Sequence, residues 1–237
     1  MTQELRRFIG KLYRRMIEYG LLAVCLALLC GLHYLSLLLD RVCCVLEEWR
    51  RRAAGAGDAD DPSERIGVVA FAPAVAFLAY ATGRQVRVLN LLTLSDSTYT
   101  GHRDLVTSLS WSPDGARLAS ASSDGTVQIW EFERGRLRFA YARQQCSVRA
   151  VAWSPDGTRL ASSGADGSLH IWNASDGGGS VVASLGALGA VTTLSWSPDG
   201  TCLLSGGVDG MVYLWDPETG AALDRYSAHE RTVSTVT

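Results

Sequence analysis

The sequence predicts an all-β fold assembled from repeated four-stranded sheets and preceded by one long hydrophobic α-helix. Three observations predict it. The string Trp-Ser-Pro-Asp-Gly occurs three times, with its Trp at 111, 153 and 196, intervals of 42 and 43 residues. Each copy is followed in register by the same landmarks. A Leu-x-Ser triplet ends at Ser120, Ser162 and Ser205, an Asp-Gly pair opens at Asp124, Asp166 and Asp209, and a second Trp stands at Trp130, Trp172 and Trp215. Near the amino terminus, residues 21–39 contain ten leucines and only His33 and Ser36 as polar side chains.

The 237 residues are 47% hydrophobic with a formal net charge of −2, which excludes a disordered chain and a nucleic-acid binder built on bulk charge. That mean hides a division. Residues 1–56 carry nine basic and five acidic side chains (+4), leaving 13 of the 22 basic and 19 of the 24 acidic groups (−6) for the rest. The two parts are read separately.

Residues 21–39 leave no helical face polar, so they are not an amphipathic surface helix. At 1.5 Å per residue they match a hydrocarbon core of about 30 Å. Ten leucines at roughly −0.5 kcal/mol each favour insertion by about 5 kcal/mol. Basic residues flank both sides, Arg6, Arg7, Lys11, Arg14 and Arg15 before and Arg41 and Arg50 to Arg52 after, so orientation is not set. The helix reads as a membrane anchor; a buried or partner-docking helix and a misassigned first exon are the alternatives. Residues 1–52 form this hydrophobic segment, and the small, acidic, Gly-containing run 53–63 is a flexible linker to a second domain at 64–237.

Within one repeat, residues 106–111 alternate at period two as a strand does, and Ser112-Pro113-Asp114-Gly115 is a tight turn. Residues 117–122 return as a second strand, Asp124-Gly125 makes the next hairpin, 126–130 is a third strand and 137–142 a fourth. A more diverged unit precedes these. Residues 68–73 align with the strand ending at Trp111 and 86–89 with the strand ending at Trp130, without the Asp-Gly turn or either tryptophan. A sheet of this kind exposes apolar groups on both faces, so neighbouring units must stack.

These landmarks resemble those of the WD-repeat β-propeller family. The dipeptide that names the family appears as Trp215-Asp216, with Trp130-Glu131 and Trp172-Asn173 in the other units. The family's Gly-His pair appears as Gly101-His102, with Ala228-His229 as a near-version. The resemblance covers residues 66–237 and implies a propeller of four blades plus the start of a fifth at 233–237. An array of that length is expected to be incomplete: a truncated gene model, a fragment, or half of a ring completed by another chain. An unclosed blade edge predicts association.

His102, Ser120 and Asp124 could be mistaken for a hydrolase triad. The resemblance implies instead a structural tetrad with Trp130, in which His bridges Ser and Asp and Ser reaches the indole N–H; Ser162, Asp166, Trp172, Ser205, Asp209 and Trp215 are the equivalent positions. Counting back nine residues from Trp153 and Trp196 places Gln144 and Ala187 where His102 sits. Gly177-Gly178-Gly179 lacks the Gly-Lys-Ser/Thr of a phosphate loop. The cysteines (25, 30, 43, 44, 146, 202) form no Cys-x-x-Cys pair and lie away from the histidines, so reduced thiols are expected and no zinc site. Cys43 and Cys44 are either S-acylation sites or small apolar residues.

No cofactor, metal or catalytic residue is expected. The reading is a non-enzymatic protein–protein interaction scaffold, cytoplasmic and associated with a membrane through 21–39, binding proteins or peptides on the propeller and not nucleic acid. The alternatives are a recruiting module of a larger regulatory or catalytic protein, and a nuclear-envelope scaffold similar to the nuclear-pore protein Aladin, supported by the diverged first unit and Gly186-Ala187-Leu188-Gly189.

Overall fold

The computed structural model describes residues 66–236 apart from 74–76, 92, 94, 133–135, 143, 145, 175–180, 187–188 and 228–230, and gives residues 181–186 as backbone. The hydrophobic helix at 21–39, the linker at 53–63, the Gly177-Gly178-Gly179 run, Ala187 and Ala228-His229 therefore lie outside the described residues. Among the described residues no helix is long and apolar enough to cross a membrane.

Among the described residues sixteen strands form four sheets, each a simple antiparallel meander of four consecutive strands. The first sheet holds β1 (Ile66–Phe71), β2 (Phe77–Thr82), β3 (Gln85–Asn90) and β4 (Asp96–Thr100). The second holds β5 (Val106–Trp111), β6 (Arg117–Ser122), β7 (Val127–Glu131) and β8 (Arg136–Tyr141). The third is β9 (Val148–Trp153), β10 (Arg159–Gly164), β11 (Ser168–Asn173) and β12 (Val181–Gly186). The fourth is β13 (Val191–Trp196), β14 (Leu203–Gly207), β15 (Val212–Trp215) and β16 (Ala222–Tyr226).

The turns explain why the strands begin and end where they do. In Ser112-Pro113-Asp114-Gly115 the Ser112 hydroxyl accepts the Arg117 amide at 2.9 Å, and Asp114 accepts the Ala116 amide at 2.9 Å. Gly115 closes the turn at φ +69°, a backbone state that costs other residues strain. The same bonds recur at Ser154 with Arg159 and at Ser197 with Cys202. The first sheet lacks Asp-Gly, yet its β2–β3 hairpin forms through Gly83 at φ +56°.

Stacking supplies the core. Each of the first three sheets buries its forward face against the back face of the next. Ala79, Ala81, Val86 and Val88 of the first meet Leu109, Trp111, Leu118 and Trp130 of the second. Ala119, Ala121, Val127 and Ile129 then meet Val151, Trp153, Leu160 and Trp172. Ala161, Leu169 and Ile171 meet Leu203, Tyr213 and Trp215. Polar side chains fix the register between sheets: Thr107 Oγ1 donates to the Val148 carbonyl at 2.6 Å, and Ser108 Oγ accepts the Val151 amide at 3.2 Å.

Of residues 233–237, expected as the first strand of a fifth unit, the described 233–236 carry no strand ladder. A strand needs a hydrogen-bonded neighbour, and here the contacts are to side chains and a turn. Thr192 Oγ1 donates to the Val233 carbonyl, Thr193 Oγ1 accepts the Val236 amide at 3.3 Å, and the Val233 amide donates to the Gly207 carbonyl at 3.0 Å. The first two contacts repeat, residue for residue, those that β5 makes with β9.

Candidate functional site

Among the described residues, His, Ser and Asp converge in the second sheet. Ser120 stands in mid-β6, opposite Gln128 of β7, and Trp130 follows two residues on, so both side chains project from the same face. The Asp124 turn at the end of the β6–β7 hairpin and the chain entering β5 at His102 then close over them. His102 Nδ1 lies 3.1 Å from Asp124 Oδ2, and Nε2 lies 2.8 Å from Ser120 Oγ. Trp130 Nε1–H donates to Ser120 Oγ at 2.9 Å. Gly101 is required beside them: a Cβ there would come within 2.5 Å of Gln128 Oε1 and 2.9 Å of the Trp130 ring.

The electrostatics are those of a sealed network. Burial pushes the His102 imidazole below its ordinary value, against the pull of the Asp124 carboxylate. A neutral ring donating from Nδ1 to Asp124 and accepting at Nε2 from the Ser120 hydroxyl satisfies both partners; this tautomer is assigned from the network. Burial also pushes the Asp124 carboxyl up, but the Thr126 hydroxyl and the Arg103 and Thr126 amides outweigh it and hold the group below the usual carboxylate range. Asp124 accepts those amides at 2.8 and 2.9 Å.

The His–Ser–Asp order and distances are those that activate a serine nucleophile. The surroundings are not. Ser120 has 0% exposure, and its oxygen also accepts the Trp130 indole, so no substrate carbonyl can reach it.

The equivalent positions keep half of this arrangement. Ser162 accepts Trp172 Nε1 at 3.2 Å, and Ser205 accepts Trp215 Nε1 at 2.8 Å. Among the described residues no histidine bridges Ser to Asp in either sheet. Gln144, counted as the His102 equivalent, is buried, and its amide atoms have no hydrogen-bond partner. Beside Asp166 stands the thiol of Cys146, which the spacing from Trp153 did not single out. Asp166 is held down to about 2 by the Ser168 hydroxyl beside it, then by the Cys146 thiol and the Ser168 amide. Burial pushes the thiol up, with Asp166 adding to it, which makes Cys146 a poor nucleophile. A Cβ on Gly164 would come within 2.5 Å of that thiol, so the glycine admits it. Asp209 caps its own turn, accepting the Met211 amide at 3.0 Å, and receives the Tyr213 hydroxyl at 3.4 Å.

One shallow cavity of about 300 Å³ lies between the Ser154-Pro155-Asp156 and Pro198-Asp199-Gly200 turns, with Arg159 at its side. Arg159 is already engaged by Glu218 at 2.6 Å, and its guanidinium lies 5.6 Å from the Trp196 ring centre. Among the described residues no three metal-ligating side chains converge.

The WD domain, G-beta repeat family model matches residues 95–131, 136–173 and 179–216. Each match takes the last strand of one sheet and the first three of the next, so the repeat in sequence is staggered by one strand from the sheet in space. The ribosome biogenesis protein BOP1 homolog of Drosophila melanogaster is 50% identical over 44 residues, 19% of this chain and 6% of that protein. The Drosophila virilis homolog matches over the same length at the same identity. Protein Notchless of Drosophila melanogaster is 50% identical over 40 residues, 17% of this chain and 8% of its own length. The chain thus covers less than a tenth of the curated relatives it matches.

Proposed function

We propose that this chain, which belongs to the WD-repeat family, is a non-catalytic scaffold that binds other proteins or peptides on the rims of a partial β-propeller. The observation that carries this reading is the sealing of Ser120: a hydroxyl with 0% exposure packs rather than reacts. His102, Ser120, Asp124 and Trp130 are then a structural tetrad. Each bond contributes about 1 kcal/mol net, while a stranded partner costs about 1–3 kcal/mol, so the network rigidifies the sheet that presents the loops. Ser162, Asp166 and Trp172, and Ser205, Asp209 and Trp215, are reduced versions of it.

On this reading residues 64–237 are the binding domain, four blades and the start of a fifth. Residues 53–63 link it to a tether at 1–52 that holds the protein at a membrane facing the cytoplasm. The matched relatives include proteins named for ribosome biogenesis. A match over 44 residues supports a shared repeat unit, and a role in an assembly of that kind is the narrower form of the scaffold reading.

The test is reactivity together with binding. Full-length protein exposed to a fluorophosphonate probe remains unlabelled at Ser120, and Ser120→Ala lowers the unfolding midpoint. Affinity capture followed by direct titration then yields a protein or peptide partner with a measurable Kd. Stoichiometric labelling of Ser120 contradicts the scaffold reading.

A further inference from the structure

The Ser-Pro-Asp-Gly turns of the second, third and fourth sheets interlock along one rim. Pro113 packs on Gly157 of the following turn, and Pro155 packs on Gly200 of the turn after that. A Cβ on either glycine would stand 3.2 or 3.3 Å from the proline ring. The two clefts between consecutive turns are therefore built alike. The first runs from Asp114 to the Gly157 turn, and the second from Asp156 to the Gly200 turn.

The clefts differ in what fills them. In the first, the chain supplies a guanidinium of its own. Arg117 lies over the Trp153 ring at 4.6 Å, donates through Nη2 to the Gly157 carbonyl at 3.1 Å, and stands 3.8 Å from the Asp114 carboxylate. In the second, the equivalent Arg159 is drawn aside. It donates to Glu218 of the β15–β16 connection at 2.6 Å, and it lies 5.6 Å from the Trp196 ring centre. The cavity of about 300 Å³ opens there, with Pro155, Asp156, Pro198 and Asp199 among its walls. The Ser154 and Ser197 hydroxyls at the heads of the two turns hold Asp156 and Asp199 down to about 2. Both carboxylates are thus ionised, while Glu218 balances the charge of Arg159.

We propose that this cleft binds an arginine side chain of a partner protein, its guanidinium taking between the third and fourth sheets the place that Arg117 takes between the second and third. The inference rests on the scaffold reading and names one contact that a partner makes. In that place the planar fork donates to the Gly200 carbonyl and pairs with Asp156, as Arg117 does with Gly157 and Asp114. Asp199 stands on the far wall, and Pro155 and Pro198 lie along the aliphatic stem. A carbonyl and a carboxylate in different directions match the fixed fork of an arginine; a lysine ammonium is a point charge and matches them less well.

NMR titration of the full-length chain with Nα-acetyl-arginine amide tests this, with the lysine and citrulline analogues as companion probes. Saturable shifts are expected at the Asp156, Gly200 and Thr201 amides. The lysine compound binds at least about fivefold more weakly, and the neutral citrulline compound moves nothing. Asp199→Asn keeps the Oδ1 acceptor that its turn needs for the Thr201 amide, and removes only the charge. It is expected to weaken arginine binding at least about threefold. Asp114→Asn, in the cleft that Arg117 already fills, leaves binding unchanged. Equal binding of lysine and arginine means attraction to surface charge only and overturns the proposal. So does an arginine probe that moves no signal at the two turns, or a response indifferent to Asp199→Asn. None of these outcomes touches Ser120, whose labelling tests the scaffold reading separately.

Discussion

The second and fourth sheets are copies of one pattern that came to differ in two ways. Both have a Leu-x-Ser strand, an Asp-Gly hairpin and a Trp whose indole donates to the serine, at 2.9 Å in one and 2.8 Å in the other. Only the second adds a histidine between serine and aspartate. Among the described residues only the second has a sheet stacked on its forward face, where Ile129 is fully buried and its counterpart Leu214 is half-buried. The Ser–Trp bond is thus independent of both the histidine and the next sheet. It holds the middle strands of a sheet together, the histidine network locks the turn, and stacking provides most of the burial.

The largest expected effect separates the stacked face from the open one. Ile129→Ala removes a fully buried side chain and is expected to cost about 2–5 kcal/mol by denaturant unfolding. Leu214→Ala, on the half-buried face, is expected to cost less than about 1 kcal/mol. Equal losses in the two variants would show that the fourth sheet is covered as fully as the second.

A smaller effect concerns pH. The folded-state pKa of His102 is depressed by burial, so its contribution is fully present above about 6.5, the ordinary imidazole value, and is lost as pH falls below it. His170 is shifted the same way by burial. Stability of the wild-type chain should fall as pH drops below about 6.5, and His102→Gln should flatten part of that slope while leaving the share due to His170. An unchanged slope in the variant would remove His102 from the account.

The smallest effect belongs to Cys146. Cys146→Ala takes one weak donor from Asp166 and leaves the Ser168 amide bond at 2.9 Å in place. A loss of about 0.5–1 kcal/mol is expected by thermal or denaturant unfolding. The carboxyl of Asp166 should titrate slightly higher by NMR, because the thiol is one of the groups holding it down.

What could be read from residues alone follows from where the determining physics is local. Strand β5 was legible because Val106 to Trp111 alternates and Pro113-Asp114-Gly115 stops it, and both causes sit within ten residues of each other. The approach of Trp130 to Ser120 follows from the fixed length of the hairpin that joins β6 and β7, whereas a place for His102 beside them was implied only by the family resemblance. Cys146 was not legible. Counting back from Trp153 lands on Gln144, but the connection between β8 and β9 is a loop, and loop conformation decides which side chain reaches the Asp166 turn. Sequence could have pointed there only through Gly164, whose bare Cα makes room for the thiol. The two missing strands of the diverged first unit were hidden for a related reason. Gly83 alone does the work of Asp-Gly, and a lone glycine is a weak turn signal. Exposure of the fourth sheet's forward face was beyond reach of local pattern altogether. Leu204, Val212 and Leu214 read like any buried strand, and only the neighbour decides.

The central claim is that the buried His–Ser–Asp–Trp network holds the second sheet together and that its partial copies contribute less. Denaturant unfolding of Asp124→Ala, Asp166→Ala and Asp209→Ala in the same full-length chain tests it most directly. Asp124→Ala strands His102 as well as the Arg103 and Thr126 amides, at roughly 1–3 kcal/mol for each buried group left unpaired. Asp166→Ala strands the Cys146 thiol and one amide, and Asp209→Ala chiefly the Met211 amide, which water can reach. The account predicts that order of loss, Asp124 first and Asp209 last; an Asp209→Ala variant as destabilised as Asp124→Ala would contradict it.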